Sequence, residues 1–155
     1  MKIQSNSLNQ LFTLKFFLIL IVAITILKGH VFVTHAQEVS GQITLPINGY
    51  QVAPRFKIEG TISNLPDGYH LWIAVRKGNL MWPKEPEAFV IGTNWGTTIS
   101  ENSRGEYSLI LLAVNSDGHN NIMEWIRIGN ETSHFPGYIS IPGSQSLCSI
   151  TVVGN

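Results

Sequence analysis

Residues 37–155 read as a mainly β domain, an antiparallel β-sandwich of about seven strands with one short helix before the last strand. Three observations lead there. Apolar runs of four to nine residues alternate with clusters of Gly, Pro, Asn and Asp. Turn signals recur roughly every ten residues, the rhythm of a sandwich. Only the stretch after Asp117 spaces its large apolar side chains as a helix does.

The first element lies ahead of that domain. Leu11 to Leu27 reads LFTLKFFLILIVAITIL; Lys2 and Lys15 precede its uncharged run from Phe16, and no acidic residue comes before Glu38. A basic start followed by an apolar run is the pattern of a secretory signal. Thr34 and Ala36 supply the small residues that precede a cleavage site, so a signal peptide would end between Ala36 and Gln37. Left uncut, Phe16 to Val33 would instead anchor the chain in a membrane. Either outcome places residues 37–155 outside the cytoplasm, secreted or periplasmic in the first case and single-pass anchored in the second.

Val39 to Leu45 is expected as the first strand, stopped by Pro46 and an Asn48-Gly49 turn. Phe56 to Ile62 alternates Phe56, Ile58, Gly60 and Ile62 against Lys57, Glu59 and Thr61, a strand with one wet face. Asn64 to Gly68 turns the chain into Tyr69 to Arg76, where Leu71, Ile73 and Val75 face one way and Trp72 and Ala74 the other. Pro83 and Pro86 divide residues 77–96, so one or two short edge strands are expected there. Thr97 to Glu101 is a short strand, and Tyr107 to Asn115, apolar on both faces, is the most buried one. Ile122, Trp125 and Ile126 predict a short helix that Asp117 or a neighbour caps and Gly129 stops. Asn130 to Gln145 is a loop, and Leu147 to Val153 closes the domain. An immunoglobulin-like sandwich fits this order best, with a jelly roll as the alternative.

Composition narrows the function. The whole chain has 155 residues with ten basic and ten acidic side chains; residues 37–155 keep seven basic against ten acidic, a net charge of −3. That balance argues against a nucleic-acid partner. One cysteine, Cys148, excludes an internal disulfide and a Cys-rich zinc site, and its place in the last strand suits a small core residue.

Gly60-Thr61-Ile62, Leu65 to Gly68, Leu71 to Val75, Trp82-Pro83, Gly92 to Trp95, Phe135-Pro136-Gly137 and Ile141-Pro142-Gly143 together resemble a small immunoglobulin-like module of bacterial envelope and exported proteins, over about residues 40–153. The resemblance is one of pattern. It implies an exported β-sandwich, at times appended to a larger protein, and it assigns no functional residue.

No catalytic set stands out, and neither a cofactor nor a metal is expected. His30 and His35 fall in or beside the leader, and His70, His119 and His134 are separated by 49 and 15 residues, unlike a two-histidine metal motif. Asn115, Asp117, Asn120 and Asn121 suit a turn and helix cap better than a calcium loop. Glu85 and Glu87 lie two apart, unlike a glycosidase pair drawn from separate elements. Aromatic side chains are the stronger candidates: Trp82, Tyr50 and Tyr138 lie in loop-like segments and could bind a ligand, whereas Trp72 and Trp125 suit the core. The residues 129–146 are expected as an ordered loop, with Phe135 and Ile141 buried near Trp125 and Tyr138 at the rim. Asn130-Glu131-Thr132 matches a glycosylation acceptor. The resulting expectation is a non-enzymatic extracytoplasmic binding or accessory module whose partner is an envelope protein or, alternatively, a surface glycan; an enzyme is the least favoured reading.

Overall fold

The structure, a computed structural model, describes residues 37–155. The leader, its cleavage site and the membrane-anchor alternative lie outside the described residues. Eight strands and one helix follow in order: β1 (Ser40–Leu45), β2 (Gln51–Val52), β3 (Arg55–Ser63), β4 (His70–Lys77), β5 (Leu80–Ile91), β6 (Asn94–Ser100), β7 (Gly105–Val114), α1 (Ser116–Thr132) and β8 (Ser144–Gly154).

The domain is mainly β as expected, but it is not a sandwich of two sheets. The strands form one curled sheet in the order β1-β3-β6-β5-β4-β7-β8-β2. Strand β5 is the reason. Its first part pairs with β4, from Leu80 opposite Lys77 to Ala88 opposite Leu71, and its last three residues pair with β6, from Phe89 opposite Gly96 to Ile91 opposite Asn94. One long strand thus joins what would otherwise be two sheets. The short edge strands expected from Pro83 and Pro86 are replaced by this twelve-residue interior strand. Both prolines are tolerated because β6 pairs only with residues 89–91, so on the edge of β5 away from β4 the only backbone pairing before Phe89 is the Met81–Tyr138 bridge, and Pro86 falls in the register shift between Lys84 and Ala88.

The sheet also curls back on itself through the segment that starts it. Strand β1 pairs with β3, while the following turn and β2 run beside β8. Gly49 N donates to Thr151 O at 2.7 Å, Thr151 N to the Asn48 side chain at 2.8 Å, and Val153 N to Tyr50 O at 3.0 Å. Gly41 on β1 lies against Leu111 and Leu147 of β7 and β8, so closely that a side chain there would collide with both.

Two cores follow from alternation on β4 and β7. Leu71, Ile73 and Val75, with Leu109 and Leu111, point inside the curl and meet Ile58, Ile62, Trp95, Ile99 and Val152. Trp72, Ala74, Ile110, Leu112 and Val114 point outside, where Ile122 and Ile126 of α1 and Ile141 cover them. A strand that is apolar on both faces needs such cover on both. Trp72 is accordingly only 1% exposed.

Helix α1 runs 17 residues, longer than the short helix expected. Asn115, a neighbour of Asp117, is its cap: its side-chain oxygen accepts from Gly118 N at 2.9 Å. The helix passes through Gly129 and ends at Thr132, followed by Ser133 in the left-handed region. Gly129 does not stop the helix because its missing side chain leaves room for the ring of Phe135, which lies where a Cβ would stand. The loop after α1 is therefore shorter than expected and, as expected, folded back on the domain. Ile141 is buried and Tyr138 is half-buried, but Phe135 keeps 40% of its surface exposed because it caps the helix from outside. Its ring meets Trp125 edge-on at 5.1 Å between centroids.

Candidate functional site

Two of the three sequence candidates come together and the third does not. Tyr138 bridges to Met81, next to Trp82, through paired backbone hydrogen bonds of 2.8 Å. Its ring lies 5.8 Å from Trp125. Trp82 donates from Nε1 to Phe135 O at 3.0 Å and Trp125 from Nε1 to Pro136 O at 3.0 Å, so two indoles pin the loop after α1. Trp82, Trp125 and Phe135 line an open cleft of about 430 Å³ with Pro83, Lys84, Glu85 and Ser100. The Phe135 ring is edge-on and the Tyr138 ring tilted to Trp125, so these three are not coplanar.

Tyr50 lines a different cleft, of about 600 Å³, formed where the chain from β1 to β3 crosses the end of β8. Leu45, Pro46, Ile47, Val52 and Phe56 supply its apolar wall, and Lys57 and Asn155 also line it. Leu45, Ile47 and Tyr50 are 51%, 64% and 56% exposed. Three large apolar side chains within six residues, all more than half in water, form a patch of the kind that monomeric surfaces usually bury.

A third cluster joins residues that sequence spacing kept apart. His70 opens β4 opposite Val114, the last residue of β7, and α1 begins two residues later. The first turn of the helix therefore stands over His70, and His119 stacks on it with ring centroids 3.7 Å apart and planes 17° from parallel. Glu87 arrives from β5, whose next residue, Ala88, pairs with Leu71. Its Oε1 lies 2.8 Å from His70 Nδ1 and its Oε2 3.6 Å from His119 Nδ1. Trp72 Nε1 donates to His119 Nδ1 at 3.3 Å from beneath. The five histidines thus hold a close pair after all. A linear motif search misses it because an antiparallel pairing, rather than a helical repeat, closes the gap of 49 residues.

Glu101, Tyr107 and Cys148 are held by packing and pairing within the sheet. Burial alone would raise the Glu101 carboxyl, but hydrogen bonds from Lys84 and Ser103 and the Lys84 charge hold it below the usual carboxylate range. Lys84 Nζ stands 2.6 Å from Glu101 Oε2. Burial first, then the Glu101 charge, pushes the Tyr107 hydroxyl up to about 12. The Cys148 thiol is raised by burial, against opposing hydrogen bonds from the backbone at Ile43 and Leu111. A half-buried thiol with a raised value is a weak nucleophile, in keeping with a packing role.

No family model and no curated relative matches the chain. Among solved structures, an engineered protein matches with a TM-score of 0.45 and 13% identity over 76% of this chain. The endo-beta-1,4-mannanase from Thermotoga petrophila matches with a TM-score of 0.45 and 15% identity over 77% of this chain. In both cases the chain spans about a fifth of the length of the protein it matches.

Proposed function

We propose that residues 37–155 are a non-enzymatic binding or accessory module that works outside the cytoplasm, held to the envelope or released from it according to the fate of the leader. Its relation to immunoglobulin-like envelope modules is part of this reading, supported by the pattern of residues 40–153. The carrying observation is the Tyr50 cleft, whose Leu45, Ile47 and Tyr50 side chains stand more than half exposed on one short segment. Its occupant in this reading is an apolar segment of an envelope protein, since the walls are mostly aliphatic and aromatic and the charge of Lys57 is paired with Glu59. A photo-crosslinking residue at Ile47 in intact cells should capture one discrete partner, and Tyr50→Ala should abolish the capture. Turnover of a substrate by the purified protein, with no specific crosslink, would sink the reading.

A surface glycan is the second reading. The Trp82 cleft favours it, because aromatic rings there adjoin Lys84, Glu85 and Ser100, a mixture that can stack on a sugar and hydrogen-bond its hydroxyls. In that case Trp82→Ala, and not Tyr50→Ala, removes binding.

A further inference from the structure

We propose that His70, Glu87 and His119 form a binding site for a divalent d-block cation of the zinc class, which clamps the start of α1 to the sheet. One ligand atom from each residue lies within 4.8 Å of the other two. The three come from three elements, β4, β5 and α1, and each side chain is between a fifth and about a third exposed. They are therefore sheltered, yet open to an ion from solvent.

The hydrogen-bond partners of the three side chains fix which atoms can serve as ligands. Trp72 Nε1 is only a donor, so His119 Nδ1 accepts its hydrogen bond through the nitrogen's lone pair. Glu87 Oε2 bears lone pairs as well, and it sits 3.6 Å from that nitrogen, beyond a good hydrogen bond. An ion held between these two atoms would draw the Nδ1 lone pair away from the indole and share it with the carboxylate. Ligands about 2.0–2.2 Å from a tetrahedral zinc ion stand roughly 3.4 Å from each other, close to this gap. The stacking of the two imidazoles turns both Nδ1 edges toward the same carboxylate. His70, whose Nδ1–H donates to Glu87 Oε1, completes the set by releasing that proton to solvent as the ion enters.

The donor chemistry selects the ion. Two imidazoles and one carboxylate suit zinc, nickel or cobalt, whereas calcium and magnesium require all-oxygen surroundings. Three protein ligands leave a fourth position for water or for a group from a partner. Because two ligands are on the sheet and one is on the helix, the ion binds only when α1 is docked, so it stabilises the folded form. Trp72 is the built-in reporter: its indole N–H shares His119 Nδ1 and must lose that acceptor when the nitrogen turns to a metal.

The test is titration of the full chain in detergent with Zn2+, followed by calorimetry and tryptophan emission, and repeated with Co2+ and Ca2+. Expected are one Zn2+ per chain, a change in tryptophan emission, visible bands of tetrahedral Co2+, no response to Ca2+, and a higher unfolding temperature that a chelator reverses. Glu87→Gln, which keeps the side-chain shape, and His119→Gln should each weaken binding about 100-fold, while His134→Gln on the exposed loop should leave it unchanged. Chelator-treated Glu87→Gln protein that unfolds at the temperature of chelator-treated wild type establishes that the variant is folded. Absence of stoichiometric Zn2+ binding, or undiminished affinity in either the Glu87 or the His119 variant, overturns the proposal.

Discussion

Tyr107 carries the clearest conflict between a residue and its surroundings. Its ring belongs to the inner core and its hydroxyl is buried without a hydrogen-bond partner. A buried polar group left unsatisfied costs roughly 1–3 kcal/mol, and removing it refunds that penalty. Tyr107→Phe keeps the ring and should raise stability by about 1 kcal/mol, read as a higher midpoint in urea with an unchanged slope. A loss of stability would mean that the hydroxyl has a partner. The sequence shows an aromatic residue at a strand start, where tyrosine ordinarily reaches water. Only the approach of the neighbouring strands decides that this one does not.

At the scale of elements, α1 and the loop behind it depend on one missing side chain. Glycine inside a helix usually weakens it by about 1 kcal/mol relative to alanine, so Gly129→Ala should stabilise an isolated helix. Here the added methyl would occupy the place of the Phe135 ring and force it off Trp125. We expect Gly129→Ala to destabilise the domain by about 1 kcal/mol, and Phe135→Ala by about 2 kcal/mol, less than for a fully buried phenylalanine because the ring is partly in water. In the double variant the two losses should not add, since the methyl then fills the vacated space; thermal unfolding of the four proteins measures this. The apolar spacing of Ile122, Trp125 and Ile126 made the helix legible in sequence. Its end was misplaced because a glycine kept for packing and a glycine that stops a helix look alike in one sequence.

Over the whole molecule, Glu101 ties separate strands by drawing Lys84 of β5 and, at 3.9 Å, Lys77 of β4 to the end of β6. Its carboxyl is lowered in the fold, so the stability it adds is present above the ordinary carboxylate value of 4.5 and is lost as pH falls through the folded value. Glu101→Gln should therefore lower stability by about 1–2 kcal/mol at neutral pH, with the difference from wild type vanishing in acid; unfolding curves between neutral pH and pH about 3 test it. A difference that persists in acid would assign the effect to shape instead of charge. The linear sequence by itself determined the β class, most strand positions, the two faces of β4 and the double burial of β7, because alternation and turn residues act over a few neighbours. Tertiary structure alone decided that β5 runs on through two prolines to join the strands into one curled sheet, and that Tyr50 and Trp82 line different clefts. It also decided that His70, Glu87 and His119 meet. Each of these depends on strand order and register, which are set by long-range pairing and core closure and leave no periodic trace in the residues they bring together.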